Sequence, residues 1–239
     1  MTSAWNRVAN AVEVLLVLIG VEYFAKLAVT IATAAGVTLP NMPVLHHTYL
    51  AFAFILILML WLQIRGDAWP SFGLIPFKLR YLAFGLALAI GGIVLDSVVR
   101  SVATPLIVAW TGADPHLDEK AFAEVKGNLP LFLMLLPSIW LFAAFGEEFL
   151  YRGYLLTRFT QLLGGGSAAV MLAIVGQAVL FGLGHWYQGP VGMFPIFVGA
   201  LLTGTVSVAW GRNLWPAMIA HGLVDTLGFT MLYLGQPLS

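Results

Sequence analysis

The chain has 239 residues, of which 60% are hydrophobic and only 9% charged, and eleven basic residues balance eleven acidic ones. A soluble domain carries roughly a quarter charged residues, so there are too few charges here to solvate a fold of this size, and the mean hydropathy of +0.93 agrees. The neutral balance excludes nucleic-acid binding through a basic surface. The absence of cysteine excludes disulfides, thiolate metal sites, Fe–S clusters and a cysteine nucleophile.

A membrane-crossing helix needs about 20 apolar residues. Runs of that kind predict spans at 11–36, 48–64, 81–109, 130–163, 167–186, 191–210 and 214–235. The first is too long and too near the start to read as a cleaved signal peptide. The fourth is too long for one perpendicular crossing, so it is either strongly tilted or divided, with its second half a separate helix near the surface. The expectation is all-α: a polytopic transmembrane bundle of seven to eight helices, one membrane domain over residues 1–239, with its active site inside the bundle. The links are short: Arg65–Arg80, Thr111–Asn128, Gly164–Ser167 and Gly211–Asn213.

Lys and Arg set the orientation of such a chain. With the N-terminus in the cytoplasm, Arg7, Arg65, Lys78, Arg80, Arg152, Arg158 and Arg212 fall inside, against Lys120 and Lys126 outside. Seven against two favours N-inside. Trp61, Trp69, Trp110, Trp186, Trp210 and Trp215 lie near span ends, where indole rings anchor at the interface.

A charge at the bilayer centre costs at least ~2.5–3.5 kcal/mol, so each one within a span needs a reason. Glu22 with Lys26, and Asp96 with Arg100, are four apart and read as neutralising pairs on one helix face. Glu13, near the cytoplasmic end of its span, reads as solvated. The stretch Phe145-Gly146-Glu147-Glu148-Phe149-Leu150-Tyr151-Arg152-Gly153 is different, because two adjacent carboxylates share one cation. On an α-helix Glu148 and Arg152 face the same way, while Glu147 points about 100° around. Arg152 is then the partner of Glu148, and Glu147 is left to face a cavity and take up a proton. The alternative is a solvated Glu–Arg pair at a helix end. Two histidines follow: His185, with Phe181 one turn before it, and His221, with Asp225 one turn after it. A carboxylate base, two imidazoles and a further acid are the groups that activate water and stabilise an oxyanion, or that hold a zinc ion.

In this order the residues resemble the CPBP family of intramembrane proteases, which includes prenyl-CAAX endoproteases, bacteriocin-processing enzymes and the ABI proteins. The family pattern is EExxxR, FxxxH, then HxxxN or HxxxD on successive helices. Here it reads Glu147-Glu148-Phe149-Leu150-Tyr151-Arg152, then Phe181-Gly182-Leu183-Gly184-His185, then His221-Gly222-Leu223-Val224-Asp225. The flanks Tyr151-Arg152-Gly153 and Asn213-Leu214-Trp215-Pro216 are similar too, and the likeness covers 130–230. It implies hydrolysis of peptide bonds in membrane-associated or peptide substrates, inside or beside the bilayer. Glu147 would be the general base, with His185, His221 and Asp225 in the site and Glu148, Arg152 and Phe181 supporting it. Asp225 has two open roles, orienting His221 as a carboxylate or donating to the oxyanion as an acid; the orienting role is favoured. The mechanism is metal-free or zinc-dependent, and zinc would be held by Glu147, His185 and His221. Convergence of the two histidines needs a tilted or broken segment around Gly182, Gly184, Gly189 and Pro190. Two other classes remain: an idle immunity or scaffold protein of the same fold, and a small transporter or proton pathway. The implied setting is the lipid bilayer of a prokaryotic plasma (inner) membrane.

The charge asymmetry makes a topology prediction. A reporter fused at position 118 should be active only outside the cytoplasm; activity confined to the cytoplasm would invert the assignment.

Overall fold

The computed structural model describes residues 4–37, 43–115 and 122–236, with the side chains of 4–6, 22 and 43–47 excepted. The loop charges Asp118, Glu119 and Lys120, and the Glu22 side chain, therefore lie outside the described residues. Those described hold helices and no strand, with three short 3₁₀ turns and seven long continuous runs. They are α1 (Ala4–Ala34), α2 (Pro43–Ile64), α3 (Arg80–Thr111), α4 (Leu129–Leu162), α5 (Gly166–Gly184), α6 (Gly189–Ala209) and α7 (Trp215–Tyr233). Length and apolar content suffice to cross a membrane in α3, α4, α5 and the run Trp186–Ala209, and in α1 if its two halves, bent by 49°, are one span. Helix α7, which carries His221 and Asp225, is not among these candidate spans. This is an integral membrane protein. Along α3, Leu82, Leu86, Ile90, Val94, Val98, Val102 and Leu106 form an exposed apolar stripe repeating every fourth residue, the face expected toward lipid.

The long fourth segment is one run of 34 residues with no separate surface helix. Asn128 caps its start by accepting from the Leu131 N–H at 3.2 Å. It is α-helical over Leu129–Ser138 and Leu156–Leu162, and π-helical over Ile139–Glu147 and Phe149–Leu155. Counted as α-helical pieces, the described bundle has eight helices. Pro137 lies just before the switch and has no N–H to continue the α ladder. The wider turns re-aim the side chains that follow, as π-bulges do at functional sites.

Close approach of backbones fixes how α4 sits. A Cβ at Gly146 would lie 3.0 Å from Ile55 of α2, and one at Gly153 would lie 2.7 Å from the Phe72 carbonyl. The short 3₁₀ turn Trp69–Phe72 can therefore lie directly on α4. Gly73, at φ +83°, leads that link onto the α6–α7 link: its carbonyl accepts from Leu214 N–H at 3.2 Å, and a Cβ there would meet the Arg212 carbonyl at 2.1 Å. The flanking Asn213-Leu214-Trp215 has a structural job in this contact. Leu214 is fully buried, Asn213 Oδ1 accepts from Trp215 N–H at 3.1 Å, and Trp215 Nε1 donates to the Ile75 carbonyl at 2.7 Å. Helices α3 and α7 meet through small residues, with Ala89, Ala217 and Ala220 beside Leu88, and Gly85 against Ile219.

The reading of Glu13 as solvated is wrong. Its side chain is 9% exposed and sits at the centre of a polar network. Arg158 Nε donates to Oε1 at 3.0 Å, Tyr154 Oη donates to Oε1 at 2.9 Å, and Trp61 Nε1 donates to Oε2 at 3.0 Å. Arg65 pairs with the same oxygen, and Arg158 also reaches Asp67 at 2.9 Å. A carboxylate leaves water only when its lone pairs find donors, and here α2, α4 and the link after α2 supply them. The inside count of basic residues shrinks accordingly: Arg158, 3% exposed, and Arg152, 2% exposed, are buried partners of carboxylates rather than loop charges.

Removing Glu13 leaves Arg158 only part of its compensation, with Asp67, and takes the acceptor from Tyr154, Trp61 and Arg65. Glu13→Ala should lower stability by on the order of 3 kcal/mol, read as thermal unfolding in detergent. Glu13→Leu with Arg158→Met should recover most of that loss; equal stability of wild type and Glu13→Ala would show the network to be idle.

Candidate active site

Three helices bring the motif residues together. Glu147 and Glu148 stand at the junction of the two π-helical stretches of α4. Arg152 follows one turn later, His185 caps the end of α5, and His221 and Asp225 are one turn apart on α7. Beside the site, a Cβ on Gly222 would lie 2.6 Å from the Trp140 ring. Gly222 thus lets α7 press against α4 at the level of His221.

The imidazole of His221 is the centre of the arrangement. Its Nδ1 is 2.9 Å from Glu148 Oε1. Its Nε2 is 3.5 Å from Asp225 Oδ2 and 3.9 Å from Glu147 Oε2. Three carboxylates from two helices therefore surround one ring. Arg152 supplies the counter-charge for Glu148, with Nη1 at 3.2 Å from the same Oε1. A carboxylate paired with a guanidinium accepts only, so Nδ1–H is the donor and Nε2 is turned toward Glu147 and Asp225.

Arg152 is itself held from three sides. Its Nε and Nη2 donate to Thr203 Oγ1 at 3.1 and 2.6 Å, and its guanidinium lies 4.3 Å over the Phe181 ring. Thr203 on α6 is a part of the site that motif reading did not find. Its hydroxyl has no sequence signal that separates it from any other threonine in an apolar helix. Phe181, fully packed, does more than precede a histidine. Its ring is 4.8 Å from Tyr151, 4.8 Å from His185 and 6.1 Å from His221.

The histidines converge only in part. The chain breaks after Gly184 into a 3₁₀ turn, Trp186–Gln188, and restarts at Gly189-Pro190, so the expected broken segment is present. His185 nevertheless turns its Nδ1 to the Phe181 carbonyl at 2.8 Å. Among the described residues, no hydrogen bond or ion pair joins it to Glu147 or His221, though the Phe181 ring neighbours both histidines. Among the same residues, no group of three or more His, Asp or Glu is assembled that could hold a metal ion. The conditional zinc set Glu147, His185 and His221 is thus not formed in this arrangement, because His185 faces its own helix end.

A cavity of ≈ 450 Å³ opens between α3, α6 and α7 and reaches this cluster. Glu148, Arg152, Phe181, Thr203, His221 and Asp225 line it; Glu147 and His185 do not. The three residues Glu147, His185 and His221 therefore do not all line this one cavity. Glu147 is half-buried and approaches His221 at Nε2, the nitrogen that Asp225 also approaches.

Residues 129–227 match the family described as Rce1-like, type II CAAX prenyl endopeptidase, a stretch that contains all three motifs. No curated protein and no solved structure matches the chain.

The geometry separates two contributions to stability. Arg152→Ala strands Glu148, 1% exposed, as a buried uncompensated charge and should cost ~3–5 kcal/mol. Thr203→Val removes the hydrogen bonds from the guanidinium and those that its hydroxyl gives to the Gly199 and Ala200 carbonyls, strands no charge, and should cost about 1–3 kcal/mol. Denaturation in detergent checks the order, and an Arg152→Ala protein as stable as wild type would refute it.

Proposed function

We propose that this chain, a member of the CPBP/CAAX protease family through residues 129–227, is an intramembrane endopeptidase that hydrolyses peptide bonds of membrane-associated substrates. The observation that carries the reading is the His221 ring, fixed at Nδ1 by Glu148 and presented at Nε2 to Glu147 and Asp225. A family membership names a type of chemistry; a preset imidazole beside a second carboxylate is the arrangement that chemistry needs.

In this reading Glu147 takes a proton from water as the oxygen attacks the scissile carbonyl carbon. The C–O bond forms, the carbonyl π electrons move to oxygen, and His221 Nε2–H supports the resulting oxyanion. Collapse re-forms the carbonyl and breaks the C–N bond, while the proton held by Glu147 passes to the departing nitrogen. The orienting role belongs to Glu148 rather than Asp225, because Glu148 makes the shorter contact, at the nitrogen that leaves Nε2 free. Asp225, 3.5 Å from Nε2, favours positive charge on the ring. His185, against Phe181, borders the site and would donate to substrate only after leaving the Phe181 carbonyl. No step is assigned to a metal.

The orientation with the N-terminus inside a prokaryotic plasma membrane belongs to the same proposal. Supporting it, Arg65, Asp67, Arg158 and Glu13 cluster at one end of the bundle, the end at which α1 starts.

Glu147→Gln keeps the shape and loses the base. It should lower turnover of a lipid-attached peptide by ~10²–10⁴-fold, with the unfolding temperature unchanged. Product formation followed by mass spectrometry tests this, and wild-type turnover in the variant would end the proposal.

A further inference from the structure

Helix α3 lies outside the stretch matched to the protease family, yet it forms one wall of the cavity. Asp96 and Ser97 line that wall opposite His221 and Asp225. Asp96 is the seventeenth residue of the 32-residue helix Arg80–Thr111, close to its middle. At that depth a carboxylate is costly, and an apolar side chain would serve packing better. Its side chain is nevertheless 43% exposed.

The pair with Arg100 accounts for part of this. Arg100 Nε donates to Asp96 Oδ2 at 2.9 Å, but Arg100 is not among the residues that line the cavity. The cavity therefore meets the acid of the pair and not its base. The opposite wall has the same bias. Asp225 lines it, and Glu148 contributes Oε2, a buried oxygen with no hydrogen-bond partner among the described residues. The cation on that wall, Arg152, is 2% exposed and engaged with Glu148, Thr203 and Phe181; its Nη1 lacks a hydrogen bond but faces Glu148 Oε1. Three carboxylates, Asp96, Asp225 and Glu148, stand against Arg152 and His221, with the Ser97 and Thr203 hydroxyls, around an otherwise apolar space bounded by Leu88, Ile93, Ile196 and Met231. A chamber of that composition takes up an apolar chain carrying one positive group.

We propose that Asp96 is a specificity-determining residue: it forms a cation subsite in the cavity that receives a Lys or Arg side chain of the substrate beside the bond presented to His221. The inference rests on the protease reading for its substrate, and on the α3 wall for its site. Asp96 keeps Arg100 as its resting partner, and the substrate cation joins or replaces it. Binding of an apolar segment with a single basic residue then satisfies both the walls and the acid.

The test uses the full chain in detergent and a set of apolar peptides through which one Lys is walked, each matched by a norleucine peptide of the same length. In wild type, Lys at one position should raise kcat/KM over norleucine by about tenfold. In Asp96→Asn the ratio should fall to near one, while Asp96→Glu should retain it. Because Asp96→Asn leaves Arg100 without its carboxylate, Asp96→Asn with Arg100→Gln is measured beside it and should also lose the ratio. The same peptides are titrated onto Glu147→Gln protein by fluorescence anisotropy, where the Lys preference in Kd should appear and again depend on Asp96. No preferred Lys position, or one that survives Asp96→Asn, overturns the proposal. An Asp96-dependent Lys preference in binding, together with cleavage no faster than that of Glu147→Gln, would refute the protease reading and leave the cation subsite standing. Cleavage without any Lys preference would do the reverse.

Discussion

A carboxylate removed from water must bring a cation and donors with it, and α4 is built around two such obligations. Glu148 takes Arg152 from its own helix and His221 from α7, and Arg152 then recruits Thr203 from α6. A few turns further on, Arg158 takes Glu13 from α1 and Asp67 from the α2–α3 link, and Glu13 in turn takes Trp61 from α2 and Arg65 from the start of that link. One helix therefore carries polar ties to nearly every neighbour. In lipid, where apolar contact alone discriminates poorly between helix pairings, such ties specify which faces meet.

The two networks serve different ends. The Glu13 network is closed: its carboxylate has donors from several side chains, and its cations are shared among acids, which suits a permanent joint. The Glu148 network is incomplete on its cavity side, where Oε2 has no partner, and its histidine presents the second nitrogen to Glu147 and Asp225. The π-helical turns fit this division. They fall over Ile139–Leu155, the stretch holding both glutamates and Arg152, and the helix returns to α geometry at Leu156, before Arg158. Glycine supplies the remaining clearance: Gly146 toward α2, Gly153 toward the Phe72 carbonyl and Gly222 toward Trp140.

The cavity links this site to a helix with no recognisable motif. Its apolar lining and its acidic accents come from α3 and α7 together, so the shape of the chamber depends on the small-residue packing of Ala89, Ala217 and Ala220 as much as on the motif residues. Variation in α3 would change what the cavity accepts while leaving the His221 cluster intact.

Much of this protein was legible in the chain itself. Hydropathy marks the helical runs because the bilayer requires about 20 apolar residues per crossing and few charges. The ordered glutamate, histidine and histidine-aspartate motifs mark the site because ionisable groups are rare enough in apolar helices to stand out. Four-residue spacing foretold Glu148 with Arg152, His221 with Asp225 and Asp96 with Arg100, since one helical turn brings such residues together whatever the fold. Partnerships across the bundle were decided only by tertiary structure. Spacing along α1 says nothing of Arg158, 145 residues away, so Glu13 looked solvated when it is enclosed. Likewise it is the packing of α7 on α4 that gave His221 to Glu148 at Nδ1 and left Asp225 the weaker place at Nε2. The helix break after Gly184 was visible as glycine and proline, but the direction of the His185 ring was not. It depends on which acceptor lies nearest once α5 ends, and that acceptor is the carbonyl of Phe181.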